Sequence, residues 1–200
     1  MPNNLDPQAS EPKALPPTLK RVIPAFRMGG WISFWVQLVL AVVAALIFLF
    51  AVLYERSGAR GGGGNPGTGA GIFFAVAGLI ALGASIYWAF RYTRLSQQLA
   101  APKPMRPKPQ DAIQVLRIGI MVNIAGMSLS LLAAEAITGI LVGKALQPQR
   151  GMFRTDISLD DFIQPLDMFV VLANTHTIVA HFIGLVTALL LIDWINRQRS

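Results

Sequence analysis

The sequence predicts an all-α integral membrane protein with four transmembrane helices and both termini on the cytoplasmic side. Three observations carry that prediction. Hydrophobic residues make up 54% of the 200-residue chain and charged ones only 14%, with a mean hydropathy of +0.52, whereas a soluble domain carries about 25% charged residues. The apolar residues are gathered into four runs. Each run can cross a hydrocarbon layer about 30 Å thick, which takes roughly 20 helical residues. The basic residues crowd to one side of those runs. A soluble domain, a disordered chain and a disulfide-stapled module are all excluded.

The first run, Trp31 to Tyr54, is interrupted only by Gln37. It is far longer than the 7–15-residue apolar core of a secretory signal and has no small-residue cleavage site after it, so it reads as a retained helix. The second run covers residues 69–90, the third 118–142 and the fourth 168–194, the last being the most polar. Lipid gives unsatisfied backbone groups no partner, and long runs without strict alternation make helices rather than a barrel. The membrane domain is therefore expected over residues 29–196. A Pro-containing disordered tail is expected over 1–28, and a short C-terminal tail over 197–200.

Orientation follows from the basic residues. Twelve lie on one side: Lys13, Lys20, Arg21 and Arg27 before helix 1; Arg91, Arg94, Lys103, Arg106, Lys108 and Arg117 between helices 2 and 3; and Arg197 and Arg199 at the end. Five lie on the other: Arg56 and Arg60 in the first loop, then Lys144, Arg150 and Arg154 in the third. The positive-inside rule places the richer side in the cytoplasm. Trp31, Trp35, Trp88 and Trp194 lie near span ends on that side, at headgroup depth. The net charge of +7 thus points to an anionic bilayer surface and not to nucleic acid.

The loops differ in kind. The Gly-rich stretch from Gly58 to Gly69 lacks the Lys-Ser/Thr and the preceding strand of a phosphate loop, so it reads as a flexible linker. The Pro-rich, basic stretch from Ala100 to Gln110 is expected to be extended against lipid. The third loop holds Asp156, Asp160, Asp161 and Asp167. Ser158 with Asp161 resembles a capping box for a short interfacial helix over residues 159–164, and Pro165 stands near the start of helix 4.

Polar groups at membrane depth are costly and therefore mark candidate sites. Helix 3 carries Asn123, Ser128, Ser130 and Glu135, and Glu135, Gly139 and Gly143 follow one another on one face. Gly139 and Gly143 form a GxxxG pattern that lets another helix approach closely. Glu135 is either a proton or cation site or a packing hydrogen-bond partner. On helix 4, Asn174, Thr177 and His181 form one polar stripe, from which His176 is turned away. His181 and Glu135 could together hold a divalent ion such as iron, manganese or zinc; the alternative is an interhelical hydrogen-bond network. Small residues at helical spacing, Ala41 with Ala45 and Ala77 with Ala81 and Ser85, read as packing seams, within the bundle or between copies, and Gln37 as an interhelical partner. The chain has no cysteine, no nucleophile–base spacing and no cofactor fingerprint, so no enzymatic activity and no cofactor are expected.

Several strings carry a family resemblance: GGWISFWVQLVL, FRYTRLSQQL, AEAITGILVGKAL and DMFVVLANTHTIVAHFIGL, in that order. From Phe26 to Ile195 the chain resembles a cyanobacterial and plastid family of membrane proteins. That family includes a chloroplast inner-envelope translocon subunit also described as a permease. The resemblance implies four transmembrane helices and either iron transport or a part in protein import. It transfers no ligand or catalytic residue. The family pattern has Asn where this chain has His176, and often Ser where it has Ala180. Lacking a transit-peptide pattern, the chain is expected to be a cyanobacterial-type member of the plasma or thylakoid membrane.

Two functions are expected from these features. One is a component of a membrane transport system, a homo-oligomer passing a small cation, with Glu135 and His181 on its path and Ser128, Asn174 and Thr177 in the same polar network. The other is a non-transporting scaffold or translocation subunit that binds other membrane proteins through small-residue seams such as Gly139 and Gly143.

Overall fold

The computed structural model describes residues 16–56, 66–146 and 163–197. They form four helices: α1 (Pro17–Arg56), α2 (Pro66–Ala100), α3 (Pro109–Leu146) and α4 (Pro165–Arg197), with a 3₁₀ turn at Lys103–Met105 between α2 and α3. All four are long and apolar enough to cross a membrane. They run up and down in sequence order, each packed on its chain neighbours, with α1 closing against α4 and only slight contact along the α2–α4 diagonal. The protein is an all-α integral membrane protein.

Each helix begins on a proline, whose fixed φ suits the first helical position and whose missing N–H costs nothing there. In α3 and α4 an aspartate two residues on caps the helix from inside. The Asp111 Oδ2 accepts a hydrogen bond from the Lys108 N–H at 3.1 Å, and the Asp167 Oδ2 accepts one from the Gln164 N–H at 3.0 Å. Asp167 also pairs with Lys144 of α3 at 3.7 Å, both side chains about nine-tenths buried.

The helices contain 40, 35, 38 and 33 residues, so they are roughly 50–60 Å long at about 1.5 Å per residue. They overrun the hydrocarbon, chiefly at the end that holds the N-terminus of α1. There Val22, Phe26, Leu95, Leu99, Ala112, Leu116 and Ile195 form a buried cluster. The disordered tail expected over residues 1–28 is therefore corrected for its second half, because α1 begins at Pro17 and buries Phe26 completely. The stretch from Ala100 to Gln110 is also less extended than expected: it contains the 3₁₀ turn, and the Arg106 guanidinium donates to the Ala101 carbonyl at 3.0 Å. Residues 58–65 of the glycine-rich linker and 159–162 of the expected short helix fall outside the described residues; residues 66–69, expected in the linker, already belong to α2, and Ile163 and Gln164 precede α4 without helical structure.

Buried positions on α2 and α3 alternate in steps of four and three: Gly71, Ala75, Gly78, Leu82, Ser85, Ala89 and Tyr92 on α2, and Leu116, Gly119, Asn123, Gly126, Ser130, Ala133 and Ile137 on α3. That is the spacing of helices that cross at a shallow angle and interlock side chains. The small-residue pairs expected as seams lie mostly beside the inward faces. Around the middle of α1, Ala44 and Phe48 are buried, while Ala45 is exposed and Ala41 half-buried. On α2, Ala77 and Ala81 flank the seam while Ser85 lies in it.

Candidate functional site: a buried polar layer

Two apolar clusters fill the ends of the bundle. One is the cluster around Phe26 and Leu116, and the other contains Ala44, Phe48, Ala75, Ala133, Ile137, Leu141 and Ala173. Between them all four helices turn polar at the same depth. Ser33 and Gln37 of α1, Ser85 of α2, Asn123 and Ser130 of α3, and Asn174, Thr177 and His181 of α4 are all buried there.

The groups are chained across the bundle. Gln37 and Ser33 bond along α1, Nε2 to Oγ, at 2.6 Å. The Ser85 hydroxyl lies 2.6 Å from the Gln37 Oε1 and 2.7 Å from the Asn123 Oδ1. The Asn123 Nδ2 donates to the Gly119 carbonyl at 2.8 Å. The His181 Nδ1 lies 3.2 Å from the Asn123 Oδ1, and its Nε2 3.2 Å from the Gly78 carbonyl. Farther along α4, two turns from His181, the Asn174 Nδ2 donates to the Ser130 carbonyl at 2.9 Å, and one turn from it the Thr177 hydroxyl donates to the Ala173 carbonyl at 3.1 Å. The chain Gln37–Ser85–Asn123–His181 thus joins α1, α2, α3 and α4, each polar group meeting another where hydrocarbon would leave it bare.

Glycines make the layer possible. A Cβ on Gly126 would collide with the edge of the His181 ring, and one on Gly184 would lie 2.5 Å from the Asn123 Oδ1 and 2.7 Å from the Gln37 Nε2. Close helix approach through small residues is what brings these short side chains within bonding distance.

The candidate residues divide into two groups. Asn174, Thr177 and His181 share the inward face of α4, and His176 is turned off it, its Nδ1 bonding the Leu172 carbonyl at 2.8 Å. Ser128, Glu135, Gly139 and Gly143 lie on the outward, exposed face of α3. Ser128 bonds its own helix at the Ile124 carbonyl, 2.9 Å away. Cβ atoms on Gly139 or Gly143 would meet nothing within 4 Å. Glu135 is twelve residues beyond Asn123, the α3 partner of His181, which is roughly 18 Å along a helix. The structure therefore does not bring Glu135 to His181, and no group of three or more His, Asp or Glu side chains able to hold a metal ion occurs among the described residues. Among those residues Glu135 also has no hydrogen-bonding or ionic partner. Gln37 does reach another helix, as its solitary polar place in an apolar run suggested. Ser33 and the glycines at 78, 126 and 184 were not singled out in the sequence; their signal was the step-of-three-and-four placement of small residues.

Residues 16–196 match the family model described as "Protein of unknown function (DUF3611)". The chain is 36% identical over 186 residues to "Protein TIC 21, chloroplastic" of Arabidopsis thaliana, an alignment covering 91% of this chain and 60% of that protein. This chain therefore spans about 60% of that relative's length. No solved structure matches it. The matched region takes in all four helices and the whole polar layer, and the chain belongs to the family described as "Protein of unknown function (DUF3611)".

Proposed function

We propose that the protein is an assembling subunit of a membrane translocation system, self-associating through the outward face of α3, and not a cation permease whose path runs between its own helices. The observation that carries this is the position of Glu135. Its carboxyl group faces outward at membrane depth without a partner among the described residues, on the same face as Gly139 and Gly143. A polar group there is costly until another helix supplies a hydrogen bond, and two bare glycines one turn apart are what a close-packed helix needs. Copies of one chain insert with the same orientation, so α3 meets α3 in parallel, and each Glu135 side chain reaches its counterpart one turn before the glycine contact. The interior supports the same reading: the chain Gln37–Ser85–Asn123–His181 ties the four helices to one another and works as glue within the protomer.

The positive-inside rule puts both termini in the cytoplasm, and the family resemblance suggests the plasma or thylakoid membrane of a cyanobacterium-like cell. The resemblance to an import subunit favours translocation as the process served.

The test is the mass of the particle in mild detergent, with Gly139→Leu and Gly143→Leu together and Glu135→Gln separately. Wild type is expected as an oligomer, the double leucine variant as a folded monomer, and Glu135→Gln as a weaker oligomer. Iron(II) or manganese(II) uptake by proteoliposomes is expected to match empty liposomes. A monomeric wild type, or saturable metal uptake abolished by Glu135→Gln, would overturn the proposal.

A further inference from the structure

His181 is completely buried, and both of its ring nitrogens face oxygen atoms that can only accept. On the Nδ1 side the oxygen belongs to Asn123, whose amide can be placed only one way. Its Nδ2 lies 2.8 Å from the Gly119 carbonyl, and turning the amide over would set two acceptor oxygens against each other. The Oδ1 must therefore face Ser85 and His181. On the Nε2 side the oxygen is the Gly78 backbone carbonyl of α2, 3.2 Å away. A neutral imidazole has one N–H and can satisfy one of these acceptors; its other nitrogen then holds a lone pair against an oxygen. The imidazolium satisfies both.

We propose that His181 is a proton-binding site, taking up a proton at Nε2 against the Gly78 carbonyl and so tying α4 to α2 across the bundle diagonal. The ligand is a proton from water. It forms the Nε2–H bond, the ring gains one positive charge, and that N–H donates to the Gly78 oxygen. In the neutral ring Nδ1–H donates to Asn123 and the diagonal tie is absent. A tie between α2 and α4 has leverage there, because these two helices touch far less than neighbouring helices in the bundle do.

The surroundings isolate the ring from other charges. Gln37 faces the layer from α1, Ser85 and the Gly78 carbonyl from α2, Asn123 and Gly126 from α3, and Asn174 and Thr177 share the inward face of α4. None of these is charged or titrates in water near neutrality. The ionisable side chains next along the helices are His176, bonded to its own helix, Tyr92, buried against Gly119, and the outward Glu135. The proposal does not depend on how copies of the chain assemble.

The chain contains two histidines, so the test is direct. The protein is labelled with ¹⁵N-histidine and its ring nitrogens are followed by NMR from about pH 4 to pH 9, a range that brackets ordinary imidazole titration. His176→Gln assigns the His181 signals; in wild type the two rings are also separated by the burial of His181. The expected result is an Nδ1–H tautomer at the alkaline end that converts, in one reversible step, to a ring protonated on both nitrogens. A His181 ring whose signals stay constant across the range, in whatever form, would overturn the proposal. So would a neutral ring protonated on Nε2.

Discussion

Asn123 holds the polar layer together, since one amide bonds its own helix through Nδ2 and offers Oδ1 to both Ser85 and His181. Removing it takes one hydrogen-bond partner from each of two buried groups, Ser85 and His181. Asn123→Ala is therefore expected to cost about 1–2 kcal/mol of stability, at the upper end of interhelical hydrogen bonds in membranes, while Ser128→Ala, on the outward face of the same helix, stays within about 0.5 kcal/mol. Thermal unfolding of both variants in detergent checks the contrast. Gly126→Ala is expected to be worse than Asn123→Ala, because the added methyl group would collide with the edge of the His181 ring and a packed core accommodates extra volume only at about 1–3 kcal/mol. Gly139→Ala meets nothing within the protomer and should leave the melting temperature of the monomer unchanged.

The elements were legible to different degrees. The spans stood out in the sequence because lipid sets their length and hydropathy. The overrun of α1 did not, because Val22 and Phe26 are scattered among Lys20, Arg21, Pro24 and Arg27 and become a buried face only when Leu99, Leu116 and Ile195 cover them. Phe26→Ala is expected to cost about 3–5 kcal/mol, a loss that no disordered tail would show; denaturation of the detergent-solubilised variant measures it. The polar stripe of α4 was readable from spacing alone. Which face of α3 turned inward was not, since Asn123 and Ser130 occupy one face, and Ser128 and Glu135 another, and both carry glycines. In a soluble helix the apolar face would decide; here large residues such as Met121 and Leu132 face outward and small or polar ones inward, so hydrophobic contrast gives little direction. The Pro-x-Asp pattern at the starts of α3 and α4 makes another separable prediction. Asp167→Asn loses both the charge-assisted cap and the Lys144 pair, a loss of about 1–3 kcal/mol, whereas Asp193→Asn loses only an exposed pair with Arg197 and should change stability by less than about 1 kcal/mol.

At the scale of the whole molecule the inside and the outside of the bundle differ in kind. Its interior has apolar ends and a cross-linked polar middle, which fixes the four helices against one another. Among the described residues its outer surface is largely apolar as lipid requires; the polar Thr175 and His176 of α4 bond their own helix, whereas on α3 a carboxyl group and two glycines share one face. A protein whose chemistry lay in its own core would be expected to bring its acid to its histidine, and Glu135 and His181 are kept apart. Assembly through α3 is the central claim, and the absence of cysteine from the chain makes it directly measurable. Gly139→Cys, placed in the native membrane and mildly oxidised, is predicted to give a disulfide-linked dimer, while Ile80→Cys, exposed on α2, stays monomeric. A Gly139→Cys protein that reaches the membrane folded and yields no more dimer than Ile80→Cys would contradict the account.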